Sequence, residues 1–189
     1  PFTTSSNTIA GQIEAGAGGG LNRSKRIVGI AKAYLTYVGR GPLPTEIKPP
    51  LEEKIREVGQ EYGTTTGRAR RIGWIDLVQL KHANNLNSFT ELILTKVDVL
   101  AGLDEVKLCV GYEVDGEKIN YVPSDLEVFN KIKPVYETLN GWASLPKKIN
   151  NIGECPSELQ SFIKKIENFT ETKISLISYG PDRNQTFAL

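Results

Sequence analysis

The chain has 189 residues, of which 39% are hydrophobic and 24% are charged, and its formal net charge is +1 at pH 7. That length is enough for one domain with a hydrophobic core, and so small a net charge gives no overall attraction to nucleic acid or to acidic membranes. No run of 18 apolar residues occurs, so the sequence excludes a membrane-spanning helix.

The first half of the chain is predicted to contain a loop region followed by three helices. Residues 1–24 are rich in Ser, Thr, Gly and Asn, a composition typical of loops. Apolar residues at helical spacing predict an amphipathic helix from Arg26 to Tyr37, which ends where Gly and Pro residues follow. The same spacing predicts a charged helix from Leu51 to Tyr62 and another helix from Trp74 to Leu86.

Strands dominate the prediction for the second half. The predicted strands are Glu91–Lys96, Val106–Val114, Lys118–Val122, Pro134–Leu139 and Lys173–Ser178. Asp115-Gly116 is a strong hairpin signal between two of them. A helix is predicted to begin at Ser157, where Gln160 completes a capping box. This mixture favours an α/β fold whose strand ends carry polar loops, and ligands of such sheets gather at the carboxyl ends of the strands.

The run GTTTGRARR, from Gly63 to Arg71, combines residue types that suit an anion. Glycines let the backbone approach a ligand, and successive N–H groups can cradle an anion. Arginine forks match a carboxylate or a phosphate in a bidentate way. A solvated basic loop and an RNA-binding patch are the alternatives. The near-neutral charge and the lack of interleaved aromatic residues weigh against RNA.

A second motif, Thr95-Lys96-Val97-Asp98, follows an apolar strand. One carboxylate can accept hydrogen bonds from both N1–H and the exocyclic amine of guanine, and adenine cannot satisfy it. The lysine stem can lie over the plane of the base. Short motifs of this kind also arise by chance or on a surface, but the position after a strand favours a site. Together the two motifs predict an enzyme that binds a guanine nucleotide and a second, anionic substrate.

The remaining reactive groups predict little chemistry. His82, the only histidine, lies in a predicted helix without a nucleophile partner, so we expect a structural or surface role. Cys109 lies in an apolar run and is expected to be a small core residue in a reduced setting. The sequence shows neither Cys/His metal spacing nor the phosphate-binding motif GxxxxGK[ST]. The amino-terminal stretch lacks the features of a signal peptide, so we expect a cytoplasmic protein.

Six motifs resemble adenylosuccinate synthetase and occur in that family's order. They are PFTTSSNT at residues 1–8, VGRGP at 38–42, the segment 63–74, TKVDVL at 95–100, PVYET at 134–138 and GPDR at 180–183. The resemblance runs through essentially all of the chain and is to the carboxyl-terminal half of a short form. It implies that residues 1–189 are the carboxyl-terminal part of a single catalytic domain. It also implies an α/β fold with a mixed, mainly parallel central sheet, flanking helices and a small β-hairpin, P-loop-NTPase-like overall.

The resemblance implies a GTP-dependent carbon–nitrogen ligase of purine and AMP biosynthesis. In that family, GTP phosphorylates the 6-oxygen of IMP, and the amine of L-aspartate then displaces the phosphate to give adenylosuccinate. Mg²⁺ is the implied cofactor, with ligands expected upstream and from GTP. The implied assembly is a cytoplasmic homodimer with shared sites, with neither nucleic acid nor a membrane as a partner.

Carried over by position, the resemblance assigns IMP and aspartate to several residues. Thr4 would hold the IMP phosphate, and Val38 and Gly39 would contact the IMP ribose through their backbone. The loop expected to close on aspartate consists of Gly63, Thr64, Thr65, Thr66, Gly67 and Arg68. Within it, Arg68 would reach both aspartate and the IMP ribose.

The resemblance assigns GTP to a second set of residues. Arg70 would lie near the GTP phosphates, and Lys96 and Asp98 would hold guanine. The full set expected to bind GTP is Arg70, Lys96, Val97, Asp98, Ser178, Tyr179 and Gly180.

The sequence departs from the family at some positions. Tyr37 stands where the family usually has Arg, and Thr3 where it usually has Val. The family's phosphate loop, catalytic Asp and catalytic His lie upstream, and His82 does not match that histidine. We therefore expect no catalytic residue and no metal ligand in these 189 residues, and we expect the chain to be inactive alone.

Two alternatives to the ligase remain at this point. One is a guanine-nucleotide-binding module without catalysis, although such a switch needs a phosphate loop that these residues lack. The other is an RNA-binding module that uses Arg68, Arg70 and Arg71, for which salt-sensitive RNA binding is the expected signature.

Overall fold

The computed structural model describes residue 9 and residues 25–189. The predictions for the remaining residues, including the contact of Thr4 with IMP, lie outside the described residues. The helices are α1 (Leu51–Gly59), α2 (Leu77–Asn87), α3 (Leu126–Lys131) and α4 (Ser157–Thr170). The strands are β1 (Val28–Lys32), β2 (Tyr34–Tyr37), β3 (Arg71–Asp76), β4 (Glu91–Thr95), β5 (Glu105–Val114), β6 (Glu117–Ile119), β7 (Lys133–Asn140), β8 (Ile174–Ser178) and β9 (Thr186–Ala188).

A four-stranded sheet in the order β1-β4-β8-β9 carries the parallel pairing. β1, β4 and β8 run parallel, and β9 returns antiparallel to β8. The register pairs Lys32 with Thr95, and Leu94 with Ile177. The carboxyl ends of these three neighbouring strands therefore meet at one edge of the sheet.

A second sheet has the order β2-β3-β5-β6, and β7 also pairs with β5. β3 and β5 are parallel, whereas β2–β3, β5–β6 and β5–β7 are antiparallel. β5 and β6 form the predicted hairpin around Asp115-Gly116. The α/β class is confirmed, with strands divided between two sheets instead of one.

The predicted helix from Arg26 to Tyr37 is wrong, because this segment forms β1 and β2. Ala33, fully buried, separates the two strands, and its N–H donates to the carbonyl of Thr95 at 2.9 Å. The segment contains β-branched and aromatic residues, which fit a pleated surface. Ile30 is 73% exposed, so the apolar residues do not form the single buried face that a helix would need.

The helix predicted to start at Trp74 begins three residues later, at Leu77. Residues 74–76 complete β3, and Asp76 caps α2 by accepting a hydrogen bond from the N–H of Gln79 at 3.0 Å. An N-cap side chain of this kind satisfies a backbone donor that a helix start leaves free. The helix predicted for Leu51–Tyr62 is confirmed, but it ends at Gly59.

Helix α4 supplies one side of the core. Its apolar residues Leu159, Phe162, Ile163 and Ile166 are buried as their spacing predicted. The capping box is wrong: no side chain caps the helix, and the Gln160 amide donates instead to the carbonyl of Cys155 at 2.9 Å.

The structure buries both cysteines. Cys109 is fully buried, as predicted, and burial raises the pKa of its thiol to about 12. Cys155 is 5% exposed, and burial raises its pKa as well. Among the residues that the structure describes, no helix is long and apolar enough to cross a membrane.

Candidate functional site

The chain turns sharply after β4. Lys96 has φ 61°, and Val97–Leu100 form a 3-10 helix, so we call residues 96–100 the Lys96 turn. Asp98 is partly buried there, and its Oδ1 atom is buried without a hydrogen-bond partner among the described residues. Burial raises the pKa of Asp98, and backbone N–H groups and Lys96 oppose that effect. A buried carboxylate oxygen without a donor costs free energy, so this atom is suited to N–H donors of a ligand.

The side chains beside Asp98 are held in place. The Lys96 ammonium donates to the carbonyl of Gly59 at 2.7 Å and lies 3.2 Å from Oε1 of Glu61. The lysine stem is thus fixed at both ends. Val97 is fully buried, and its carbonyl accepts a hydrogen bond of 3.1 Å from the indole of Trp142. The Val97 side chain therefore packs in the core.

The segment Ser178–Gly180 lies at the same sheet edge, because β4 and β8 are parallel neighbours. Tyr179 is only 3% exposed, and its hydroxyl accepts a hydrogen bond of 3.0 Å from the N–H of Ile149. A Cβ atom on Gly180 would overlap the side chain of Gln185. The structure thus brings Ser178–Gly180 to the strand end beside the Lys96 turn, with the tyrosine ring directed into the core.

The arginine loop, Gly63 to Arg70, is a narrow hairpin that precedes β3. The N–H of Gly63 donates to the carbonyl of Arg68 at 2.8 Å, and the N–H of Gly67 donates to the carbonyl of Gly63 at 2.8 Å. Gly67 has φ +64°, a conformation that glycine adopts without strain. These two N–H groups are used inside the loop, so binding of an anion would depend on the loop's other donors. Residues 64–68 form an exposed tip.

The three arginines of the motif have different surroundings. Arg68 is exposed at the loop tip. Arg70 donates from Nη1 to Oε2 of Glu61 at 2.7 Å, and its Nε atom is buried without a partner in the described part of the chain. Arg71 donates to Glu46 at 2.5 Å and to the carbonyl of Gly41 at 2.6 Å. Arg71 therefore holds the neighbouring turn, whereas Arg68 and Arg70 remain candidates for anion binding.

The turn with Val38 and Gly39 lies beside the arginine loop. β2 and β3 are antiparallel and pair Tyr37 with Arg71, so the chain after β2 and the chain before β3 meet at one end. Val38 is 52% exposed, and the Arg71 guanidinium lies 5.7 Å from the centre of the Tyr37 ring. The backbone of Val38 and Gly39 is thus placed on an accessible turn.

Sequence reasoning missed Glu61, which lies at the centre of the site. Its side chain is 1% exposed, and Oε1 accepts hydrogen bonds from the Tyr34 hydroxyl at 2.8 Å and from Lys32 at 3.0 Å. Burial opposes ionisation, but the hydrogen bonds from Tyr34 and Lys32 and the nearby cations lower the pKa of Glu61 to about 2. Its only sequence signal was a carboxylate two residues before a cationic motif, so its several partners became visible only in the fold.

The last two expectations concern His82 and metal ligands, neither of which was predicted to take part in the chemistry of these residues. His82 is exposed on α2 and is not part of the Glu61 cluster. Within residue 9 and residues 25–189, no group of three or more His, Cys, Asp or Glu side chains could hold a metal ion.

Comparison with known proteins shows which protein family this chain resembles. The family model described as adenylosuccinate synthetase matches residues 1–187. The adenylosuccinate synthetase of Clostridium novyi (strain NT) is 50% identical over 189 residues, which are 100% of this chain and 44% of that protein. That of Clostridium perfringens (strain 13 / Type A) is 48% identical over 186 residues, 98% of this chain and 44% of that protein. The chain thus spans less than half the length of these relatives.

Solved structures agree with the fold. The fully ligated adenylosuccinate synthetase from Plasmodium falciparum matches with a TM-score of 0.93 and 37% identity, covering 100% of this chain and 46% of that chain. The succinoaminodeoxyadenylate synthetase of cyanophage S-2L, bound to dGMP and dATP, matches with a TM-score of 0.54 and 16% identity. It covers 100% of this chain and 41% of that chain, and the likeness shows a shared fold alone.

Proposed function

This chain belongs to the adenylosuccinate synthetase family, and we propose that it forms the nucleotide- and aspartate-binding part of a GTP-dependent ligase. The enzyme would join IMP and L-aspartate to give adenylosuccinate in AMP biosynthesis, through 6-phosphoryl-IMP. We propose that residues 1–189 are the carboxyl-terminal part of one catalytic domain, with the phosphate loop and the catalytic Asp and His upstream. The protein would act in the cytoplasm as a homodimer.

The observation that carries the proposal is the buried Oδ1 atom of Asp98 at the carboxyl end of β4, which has no hydrogen-bond partner within residue 9 and residues 25–189. A guanine base would supply two N–H donors to this carboxylate, and an adenine base would leave the charge unpaired. The anchored stem of Lys96 would lie against the base. Ser178 to Gly180, on the neighbouring strand end, would close the other side of the base pocket.

Anionic groups would be bound by the arginine loop. The exposed Arg68 would reach the aspartate carboxylate and the IMP ribose, with Thr64, Thr65 and Thr66 as hydroxyl donors between the loop's two glycines, Gly63 and Gly67. Arg70 has a buried Nε donor without a partner among the described residues, which suits a phosphate of GTP. The backbone of Val38 and Gly39 would contact the IMP ribose from the adjacent turn, and Thr4 would hold the IMP phosphate.

Mg²⁺ is part of the proposal as the cation that accompanies GTP. The residues described here offer no cluster for it. We therefore assign its protein ligands to the upstream part of the protein.

The test is GTP-dependent formation of adenylosuccinate from IMP and L-aspartate by the complete protein. We expect turnover with GTP and none with ATP at the same concentration. Nucleotide binding without turnover would instead support the guanine-binding module. The 189-residue chain alone should bind guanine nucleotide without turnover, and full turnover by it would contradict the domain assignment.

A further inference from the structure

A single buried carboxylate joins the arginine loop to the Lys96 turn. Oε2 of Glu61 accepts a hydrogen bond of 2.7 Å from Nη1 of Arg70, at the base of the arginine loop. Oε1 of the same side chain lies 3.2 Å from the ammonium of Lys96. The two oxygens therefore serve the two different elements of the candidate site.

The backbone fixes Glu61 between these elements. Its N–H donates to the carbonyl of Arg56, in the last turn of α1, at 3.0 Å, and its carbonyl accepts a hydrogen bond from the N–H of Arg70 at 2.9 Å. The Lys96 ammonium also donates to Gly59, two residues before Glu61. The hydrogen bond and the ion pair of Lys96 thus both reach the short segment, residues 59–61, that precedes the arginine loop.

Packing leaves this segment little room to shift. A Cβ atom on Gly59 would lie 2.5 Å from the Tyr34 hydroxyl, 3.2 Å from Cγ of Glu61 and 3.2 Å from Cγ1 of Val99. Val99 belongs to the Lys96 turn. The close approach of backbone to these three side chains means that a displacement of one element moves the others.

The charges in this cluster require the carboxylate. Three cationic side chains, Lys32, Arg70 and Lys96, surround Glu61, which is 1% exposed. Without its negative charge, three cations would face one another in a partly desolvated space, where repulsion is stronger than in water. Removing one partner of a buried charge cluster leaves the remaining charges uncompensated.

We propose that Glu61 is a positioning residue that couples the arginine loop to the guanine-binding turn, so that GTP and aspartate sites are aligned together. This inference rests on the proposed function. Glu61 does not touch substrate, and it acts through Arg70 and Lys96.

Replacing Glu61 with glutamine tests the role of its charge and its second acceptor oxygen without changing the size of the side chain. Glu61→Gln keeps the volume and one acceptor oxygen, but its amide group can accept hydrogen bonds on one side only, so it satisfies either Arg70 or the Oε1 partners. Glu61→Asp keeps both oxygens and the charge on a shorter side chain, so we expect an intermediate effect. Glu46→Gln is the matched control, because Glu46 pairs with Arg71 at 2.5 Å and is not bonded to Lys96.

The test measures steady-state ligation by the complete protein with each variant, at a temperature where all are folded by circular dichroism. The readouts are the KM for GTP, the KM for aspartate, and the preference for GTP over ITP, which lacks the exocyclic amine. We expect Glu61→Gln to raise both KM values roughly tenfold and to reduce the preference for GTP, since hydrogen bonds to charged groups are lost at both elements. Glu46→Gln should change neither KM by more than about twofold, as is usual for partly exposed ion pairs.

Several results would contradict the coupling through Glu61. A rise in only one KM, a fall in kcat alone, or equal effects of Glu61→Gln and Glu46→Gln would overturn the coupling while leaving the ligase intact. Absence of GTP-dependent ligation in the unchanged protein would overturn the proposed function, and the coupling with it. If Glu61→Gln does not fold, Glu61→Asp carries the test: both KM values rising together supports the coupling, and neither rising refutes it.

Discussion

The hydroxyl of Tyr112 donates a hydrogen bond of 2.6 Å to Oδ2 of Asp76, and both residues are buried. The same carboxylate caps α2 through the N–H of Gln79. Burial raises the pKa of Asp76, and the bonds from Tyr112 and Gln79 work against that rise. This pair joins β5 to the junction of β3 and α2.

Tyr112→Phe should destabilise the fold without changing its shape. The buried Asp76 oxygen would keep only the Gln79 amide at 3.0 Å, so we expect a loss of about 1–3 kcal/mol in unfolding free energy. Urea denaturation followed by circular dichroism measures this. Tyr121→Phe, at a residue 60% exposed, should stay within about 0.5 kcal/mol of the unchanged protein. Equal effects of the two changes would contradict the role of the buried hydroxyl.

Asp98→Asn should alter nucleotide choice while leaving the fold at least as stable. Burial raises the pKa of Asp98, so its ionisation works against folding as pH rises, and an uncharged residue removes that cost at pH 7. GTP binding should weaken about a hundredfold, because two charge-assisted hydrogen bonds are lost. The amide can donate to the carbonyl at C2 of xanthine, so binding of xanthosine triphosphate should strengthen.

Calorimetric titration of both nucleotides checks this exchange. Asp104→Asn, at an exposed position shortly after the Lys96 turn, is the control and should leave both affinities unchanged. Unaltered GTP affinity in Asp98→Asn would remove Asp98 from the guanine site.

Stability should depend on pH through Glu61. Its pKa is about 2 in the folded chain against an ordinary value of 4.5, so its contribution is fully present above 4.5 and is lost as pH falls towards 2. Glu61→Gln should therefore lower the unfolding free energy at pH 7, by about 3 kcal/mol for a broken buried charge cluster. The difference between the two proteins should shrink steadily below pH 4.5 in urea titrations. A difference that stays constant with pH would show that packing, not charge, is responsible.

Gly141→Ala should be among the most damaging single-methyl additions. A Cβ atom at Gly141 would overlap the carbonyl oxygen of Leu103, a backbone atom that no rotamer change can move. The N–H of Gly141 also donates to Asp104 at 2.8 Å, which holds the two segments together. We expect a loss of about 3 kcal/mol or more, from overpacking.

Thermal unfolding measures the effect of this change. Gly111→Ala is the comparison, because the atom nearest to its added Cβ, the carbonyl oxygen of Ile119, would lie at an ordinary 3.4 Å. A small loss at Gly141, similar to that at Gly111, would show that the two backbone segments can separate.

Local patterns were enough for the elements that delimit the site. The apolar spacing of α4 and the apolar runs of β4 and β8 each identify an element from neighbouring residues alone. Because β4 and β8 are parallel, Asp98 and Ser178 arrive at one edge, which the strand-end rule anticipates. Strand patterns together with this rule therefore predict that the two motifs lie at the same edge of the sheet, and ligand binding there stays a prediction.

The rest of the fold and of the site depends on pairing between segments that are distant in sequence, so local patterns could not predict it. Residues 26–37 carry apolar residues at both helical and alternating spacing, and only pairing of β1 with β4 and of β2 with β3 selects strands. Glu61 was missed because its partners Tyr34 and Lys96 lie 27 and 35 residues away in sequence. The sequence alone does not distinguish a solvated carboxylate from a buried one that contacts four polar side chains, as Glu61 does.

The burial of Cys109 and Cys155 has a practical use. Raised thiol pKa values leave little thiolate at neutral pH, so both cysteines should react slowly with maleimides. A Thr65→Cys change at the exposed tip of the arginine loop would then be the site where a fluorophore attaches. Because Cys109 and Cys155 would label slowly, fluorescence from this single attached dye would report on the arginine loop as nucleotide and amino acid are added.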